Sequence, residues 1–536
     1  MAEKSYEAAV ACPIPKQHSL FKLVTDQARI DDDVLNYKYE GSGTTEDPFV
    51  VTWIPDDAGN PMNWNRGLKW TIALIAATEC FVTSFSSSAF SGTLRELVTE
   101  FHTSTTLLIA GISLFVLGFA LGPLLWAPLS EIYGRQYIFT ITFGFFTIFS
   151  AGTTARHGVA TLLVLRFLAG SFGSSPFTNA GGVIADIFAS HERGAAMGVF
   201  SLAPSMGPTL GPLVGGFLGA GAGWRWVMAL MTILAGVLWI AGTLFVPETY
   251  APVLLRKRAQ ELTKRTGKLY QTRVDIEKGY VSPGKALSTA LIRPWLLLFM
   301  EPIVLVLSIY MSIVYGTLYL LFGAFPVVFQ LERGWSEGVG GLAFLGVAVG
   351  MVAAIAIGPL LQKPYMKVVN ANGGFAPPEA RLLGCMIGSI AFPISMFWFA
   401  WTSYPSIHYM SPIAAGVPFG FGFTLVFLGI TVYLIDAYTI FAASVLAANT
   451  VLRSLFGAAF PLFTRDMYAN LGKHQSQCQT LGFANHFRYT MGIVCAWFSC
   501  SSHDTSPFHP LQVWCLDQVE MCVCCGSRKS YGFTSS

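Results

Sequence analysis

Long apolar runs separated by short polar turns fill the chain from about residue 68 to residue 463. A helix needs roughly 20 mainly apolar residues to cross the hydrocarbon core of a bilayer. By that measure the pattern predicts membrane-spanning helices at 68–90, 105–126, 137–154, 160–182, 195–218, 226–246, 295–320, 337–361, 381–402, 410–433 and 439–463. That makes eleven clear spans, with a twelfth doubtful. A polar segment, 248–293, divides them into an N-terminal half at 67–247 and a C-terminal half at 294–470. Ahead of the first span, residues 1–66 read as a polar tail with an acidic cluster at Asp31–Asp33. The tail has no basic n-region followed by an apolar h-region, so the first span is expected to act as the signal anchor.

Composition agrees with a membrane protein. Hydrophobic residues make up 53% of the chain and charged residues only 12%, where a soluble protein carries about a quarter charged. The 53 glycines suit helices that pack closely without help from water. The distribution of charge says more than its sum. Ten Lys and Arg residues lie between Glu248 and Arg293, and Arg135, Arg193, Lys363 and Lys367 fall in turns on the same side. The opposite side has scattered bases such as Arg95, Arg156 and Arg333. The positive-inside rule then places the 248–293 loop, the N-terminal tail and the turn at Gly134 in the cytosol. There is no G-x-x-x-x-G-K-[ST] loop for ATP, and Gly219, Gly221 and Gly223 lack the strand–helix setting of a dinucleotide site. No enzyme activity, cofactor, metal or nucleic acid is expected, and the partners would be a small-molecule substrate, protons and the lipid bilayer.

Several polar groups stand out against this background. The turn GPLLWAPLSEIYGRQ, Gly122–Gln136, joins the second and third spans. In it Glu131 and Arg135 could pair or cap helix ends, Gly134 permits the tight turn, and Gly122 permits close helix approach. An ordinary basic loop is the alternative. Arg166 lies inside the fourth span, where an unpartnered charge is costly and therefore a functional candidate, unless it snorkels to the outer interface. Glu79 lies inside the first span. It is a candidate protonation site, because burial disfavours the charged carboxylate, or else an acid at a watery vestibule. Gly207, Pro208, Gly211, Pro212, Gly215 and Gly216 repeat along one face of the fifth span, glycines for packing and prolines for bending. Asp186, Asp436 and Arg453 fall near expected cytosolic helix ends and suggest gating charges joining the halves; Glu301 reads as structural. Tyr315, Tyr319 and Phe322 recur at helical spacing in the seventh span. They could line a cavity for flat apolar molecules or cations, or be packing or lipid contact.

A weak repeat links the halves: VIADIFASHERGAAMGVF after the fourth span and YLIDAYTIFAASVLAANTVLRS after the tenth. Duplicated six-helix halves are a common transporter design. The Gly122–Gln136 turn resembles the G-x-L-[SA]-[DE]-x-[FY]-G-R signature of the major facilitator superfamily, whose loop latches the halves in one state. The Arg166–Gly170 spacing resembles that family's fourth-helix motif, where the arginine is linked to proton coupling. The string G-x-x-x-G-P-x-x-G-G, Gly207–Gly216, resembles its antiporter motif, which exporters carry. VPETYAPVLLRKRA, RGWSEGVGGLAF and GGFAPPEARL narrow the resemblance to the fungal twelve-helix drug:proton antiporters, over about residues 47–468. It implies an all-α fold of two six-helix halves and proton-driven efflux of drugs, polyamines or secondary metabolites. It also implies a monomer in the plasma membrane, with the vacuolar membrane as the alternative. Uptake by symport and a non-transporting sensor or inactive pseudo-transporter are the rival readings.

The end of the chain departs from this pattern. Seven of the ten cysteines follow residue 471, and MGIVCAWFSC is too short to span. Cysteine and histidine spacing there supports no metal site. Reading the back-translated segment from Pro507 one base later can spell an apolar helix end with a basic tail. A frameshift or gene-model error replacing the twelfth helix is therefore preferred to a cysteine-rich domain.

Overall fold

The computed structural model describes residues 18–155, 158–278, 283–372, 377–438, 441–442, 444–464 and 467–468. The cysteine-rich segment 471–536 and its proposed frameshift lie outside the described residues, as does Arg156. The chain divides into two units, residues 1–293 with 336–342, and residues 294–335 with 343–536.

In the first unit, two short helices, α1 (Leu20–Thr25) and α2 (Asp32–Leu35), and strand β1 (Phe49–Val51) precede the long helix α3 (Arg66–Ala89). Then come α4 (Leu94–Phe101), α5 (Thr105–Tyr133), α6 (Arg135–Gly152), α7 (Val159–Gly173), α8 (Ser175–Ile187), α9 (Ser190–Ala222) and α10 (Trp224–Phe245). The basic segment forms α11 (Ala251–Thr266), β2 (Tyr270–Thr272), α12 (Arg273–Lys278) and the start of α13 (Pro283–Met300). In the second unit α14 (Pro302–Phe325) is followed, after α15 (Glu337–Gly341) of the first unit, by α16 (Phe344–Ala371), α17 (Leu383–Thr402), α18 (Met410–Ala437) and α19 (Ser444–Thr464).

Among the described residues nine helices are long and apolar enough to cross a membrane. Two further helices, α6 and α9, coincide with expected spans but are less apolar, α6 because it opens on Arg135 and Gln136, α9 because of its glycines, serines and three prolines. The expected fourth span is two helices, α7 and α8, meeting at Ser174, with Pro176 in the first turn of α8. Proline suits a first turn because its missing N–H is not needed there. Side-chain caps fix other starts: Asn65 accepts from the Leu68 N–H at 2.7 Å and Ser104 from the Leu107 N–H at 3.3 Å.

Helix α3 runs through the first unit against α8, α9 and α10. Its second half is buried even where it is polar, including Thr83, Ser84 and Ser86–Ser88. In the second unit α18 packs on both α16 and α17. Backbones meet there: a methyl group at Gly350 would strike the Val417 carbonyl, and one at Gly420 the Val347 carbonyl.

The segment expected as a polar tail is folded from residue 18 onward. Strand β1 pairs in parallel with β2, so residues 49–51 meet residues 270–272 of the basic segment. Arg29 is 1% exposed and donates to the carbonyls of Gly59 at 2.7 Å and Glu248 at 2.8 Å, its guanidinium 5.1 Å from the Trp64 ring. Burial lowers its pKa to about 10, so it keeps its charge at neutral pH. Arg258 is equally buried and holds Asp57 at 2.5 Å. Arg256 pairs with Asp275 at 2.6 Å. Part of the basic loop's charge is thus spent inside a small cap at one end of the unit.

Candidate functional site

The turn at Gly134 forms a densely hydrogen-bonded polar centre in the first unit. Gly134 has φ 105° and ends α5 while starting α6, a backbone region that favours glycine. A helix start leaves N–H groups without partners, and here Glu248 supplies them. Its carboxylate, fully buried, accepts from the backbone N–H of Arg135 at 3.0 Å, of Gln136 at 3.2 Å, of Thr249 at 3.0 Å and of Tyr250 at 2.9 Å. The same carboxylate complements the positive end of the α6 dipole.

Arg135 does not pair with Glu131, as its place in the turn suggested. Its guanidinium reaches Asp186 at 3.3 Å and the Ser130 hydroxyl at 2.9 Å, and lies 5.0 Å from the Tyr250 ring. Glu131 is exposed. Ser130 donates onward to Asn179, and Thr249 donates to Asp186 at 3.3 Å. Burial pushes the Tyr250 phenol up to about 12, which keeps the ring neutral beneath the arginine. Gly122, the other glycine of the turn, packs where a methyl group would strike Ser174 and the Ser171 carbonyl.

Arg166 is 2% exposed and does not snorkel. Its three nitrogens donate to backbone carbonyls: Nε to Gly111 at 3.2 Å, Nη1 to Ser86 at 2.8 Å and Nη2 to Ser87 at 3.0 Å. Phe90 and Phe115 lie against the guanidinium at 4.6 and 4.3 Å. Ser86 and Ser87 are in the last turn of α3, where carbonyls lack helical partners. Arg166 therefore fastens the end of α3 to α5 and α7.

Glu79 is 2% exposed. It lines a small cavity with Phe139, Thr140, Phe143, Trp239 and Thr243. No hydrogen bond or ion pair to its carboxyl is present among the described residues.

The glycine face of α9 lies on α3. A methyl group at Gly207 would meet the Ser84 hydroxyl, one at Gly211 the Ser88 hydroxyl, and one at Gly215 the Ala89 carbonyl; Gly216 faces the backbone of Glu337 in α15. Pro208 and Pro212 lie inside the helix between these contacts.

In the second unit Asp436 pairs with Arg381 at 3.0 Å, and Arg381 lies 3.7 Å over the Tyr365 ring. Asp186 and Asp436 were expected in charge networks joining the halves; the partner each shows is in its own unit. Arg453 was expected near a helix end, yet it sits midway along α19, with its guanidinium 5.3 Å from the Tyr315 ring and 4.9 Å from that of Phe427. Tyr315, Tyr319 and Phe322 are all buried, with successive ring centroids 5.1 Å apart. Glu301 accepts from the Tyr438 hydroxyl at 3.1 Å, as a structural role requires. Sequence reasoning missed Glu248, Ser130 and Asn179. The string VPETYAPVLL carried the first of these, but nothing local to it points to a turn more than a hundred residues away.

Comparisons with known proteins agree with this architecture. The profile of the Major Facilitator Superfamily matches residues 80–461. The MFS-type efflux pump MFS2 of Trichophyton rubrum is 59% identical over 461 residues, covering 86% of this chain and 78% of the relative. The multidrug transporter mdrA of Aspergillus fumigatus is 56% identical, covering 86% and 76%. Efflux pump FUBT of Fusarium oxysporum is 50% identical, covering 84% and 76%. Among solved structures, the proton:xylose symporter XylE bound to 6-bromo-6-deoxy-D-glucose superposes with a TM-score of 0.57 at 18% identity, covering 78% of this chain and 95% of that one; this likeness bears on the fold alone. The chain is a multi-pass membrane transporter and not an enzyme, and it belongs to the Major Facilitator Superfamily, in its fungal efflux group.

Proposed function

We propose that this efflux transporter exports small lipophilic or weakly cationic organic molecules across the plasma membrane, as a monomer, in exchange for protons. Glu79 is the group that carries the proton. Arg166 is a positioning residue, holding the end of α3, the helix on which Glu79 stands. The Gly134 turn with Glu248, Arg135 and Asp186 holds one state of the transport cycle, and the buried rings of Tyr315, Tyr319 and Phe322 offer flat apolar surface to substrate. The glycines from Gly207 to Gly216 keep α9 tight on α3.

The observation that carries the reading is Glu79 itself: a carboxyl 2% exposed, inside a membrane-spanning helix, with no counter-charge among the described residues. An intramembrane acid of that kind takes up a proton more readily than it stays charged. The efflux pumps named above support the direction of transport. The test is export of rhodamine 6G from proteoliposomes containing the full chain under an imposed proton gradient. Gradient-dependent export is expected in the wild type, with at least a tenfold loss in Glu79→Gln at unchanged membrane insertion. Normal proton-driven export by Glu79→Gln overturns the role of Glu79. Uptake without export supports symport, and no transport by the wild type supports the pseudo-transporter reading.

A further inference from the structure

We propose that Thr83 is a positioning residue for the proton step: its hydroxyl receives the Glu79 carboxylate once that group has released its proton. The inference rests on the reading of Glu79 as the proton carrier, and adds the donor that makes release possible inside the helix bundle.

The Thr83 hydroxyl is set apart from the others on α3. Thr71, Thr78, Ser84, Ser86, Ser87 and Ser88 each donate to a carbonyl three or four residues back, the usual bond of a hydroxyl within a helix. Thr83 is 0% exposed, and its Oγ1 has no hydrogen-bond partner among the described residues. A buried hydroxyl in that condition is costly. Packing bears on which way it turns, because threonine divides between two rotamers in a helix. The γ-methyl faces Gly173 at the end of α7, where an added methyl group would lie 3.0 Å from it and 2.9 Å from the Phe146 ring.

Thr83 stands one turn beyond Glu79 on the same face of α3. Both face α6, Glu79 beside Phe139 and Phe143, and Thr83 beside Phe146. Side chains on a helix tilt toward its N-terminus, so Thr83 leans over the turn that carries Glu79. The next turn holds Ser86 and Ser87, whose carbonyls bind Arg166. Thr83 therefore lies between the acid and the arginine that fastens this helix.

Here the Glu79 carboxyl lies on the α10 side, where a methyl group at Gly242 would come 2.5 Å from Oε1. Apolar walls of this kind suit a neutral acid. An ionised carboxylate left there without donors is far more costly. Rotation of the Glu79 side chain brings the carboxylate to the Thr83 hydroxyl with no backbone movement. The Glu79 proton leaves to water, while Thr83 keeps its own and shares it in the hydrogen bond. Of the two hydroxyls at the cavity itself, that of Thr243 donates to the Trp239 carbonyl at 2.7 Å, and half-buried Thr140 is the rival donor.

The experiment is an infrared titration of the full chain in lipid vesicles, reading the protonated-carboxyl stretching band that Glu79→Gln removes. Thr83→Val takes away the donor, so the carboxyl should hold its proton to higher pH. The midpoint should rise by about one pH unit, a tenfold change in the equilibrium. Thr83→Ser keeps a donor and should shift the midpoint less than half as far, and Thr140→Val should titrate like the wild type. Thr83→Val should melt no lower than the wild type, since it replaces an unbonded hydroxyl with a methyl group. An unchanged midpoint in Thr83→Val overturns the inference, as do equal shifts in Thr83→Val and Thr83→Ser, or a shift in Thr140→Val instead. A marked fall in the melting temperature of Thr83→Val overturns it too, by showing that the hydroxyl serves the fold. Export by Glu79→Gln separates the two readings. Loss of export there, with a wild-type midpoint in Thr83→Val, sinks the role of Thr83 and leaves the proton role of Glu79. A raised midpoint in Thr83→Val with normal export by Glu79→Gln does the reverse.

Discussion

At the scale of single residues, the first unit solves one problem twice. Gly134 and Gly223 both take left-handed φ values, 105° and 92°, immediately before a helix. Neither has a side chain to cap the N–H groups it exposes, so a carboxylate arrives from elsewhere. Glu248 serves α6, and Glu96 accepts from the Trp224 N–H of α10 at 2.6 Å. Glu248→Ala leaves the N–H groups of Arg135 and Gln136 buried and unpaired, each costing about 1–3 kcal/mol. A clear fall in the melting temperature of the purified protein is expected, and a smaller one for Glu248→Gln, which keeps an acceptor. An unchanged melting temperature in Glu248→Ala would show that the cap adds no stability. Arg166 calls for a different comparison. Lysine preserves its charge but not its planar fork, and cannot reach the carbonyls of Gly111, Ser86 and Ser87 together. Arg166→Lys should therefore lose both thermal stability and export. Loss of export at full stability would instead make the arginine part of the proton path.

At the scale of elements, spacing tells which face of a helix is special but not what covers it. The repeat from Gly207 to Gly216 is legible as a packing face, and it is one. Its partner, the run Ser84, Ser88 and Ala89 of α3, is visible only in the fold, because small residues are suitable neighbours anywhere in a membrane protein. Position along α9 makes the prediction specific. A methyl group at Gly215 strikes the Ala89 carbonyl, which cannot move without moving α3, while one at Gly221 meets nothing within 4 Å. Gly215→Ala should lower both melting temperature and export. Gly221→Ala should leave export unchanged and raise stability by up to about 1 kcal/mol through helix propensity. Equal behaviour of the two variants would mean that close α3–α9 packing is dispensable. Span positions were the most legible feature, since hydropathy is a property of the segment alone. The partners of charged groups were the least legible: Arg135 chose Asp186 over the nearer Glu131, and Asp436 chose Arg381 across 55 residues.

At the scale of the whole molecule, the surprise lies outside the membrane. Hydropathy separates apolar spans from everything else, and by that measure residues 18–64 and 248–278 look alike: polar and unremarked. Their folding depends on each other. Apart from the 16-residue α11, the segments hold strands of three residues and helices of four to six, too short to show a period, and the contacts cross more than 200 positions, as Asp57 and Arg258 do. That pair is the keystone of the cap, with the two side chains 3% and 1% exposed. Arg258 also donates to the carbonyls of Ala28 and Arg29, and lies 4.8 Å from the Trp53 ring. Removing one partner of a buried pair leaves an uncompensated charge, at a cost on the order of 3–5 kcal/mol. Arg258→Ala and Asp57→Ala should each open the cap without touching the helices in the membrane. Limited trypsin digestion of vesicle-embedded protein is the direct measure: cleavage at Lys22, Arg29 or Lys38, slow in the wild type, should accelerate at least tenfold in either variant. The double variant should be little worse than the singles, because the pair then leaves together. If all three resist trypsin like the wild type, the segment is held by its strand pairing with β2 instead. Export separates two uses of the cap. Arg29 donates to the backbone carbonyl of Glu248, whose carboxylate caps α6, and the Gln27 amide reaches Gln136 at 2.6 Å, so the cap bears twice on the start of α6 at the Gly134 turn. A cap that holds that turn in place should slow export in step with the gain in trypsin cleavage, whereas a cap that only shields the chain from proteases should leave export at the wild-type rate.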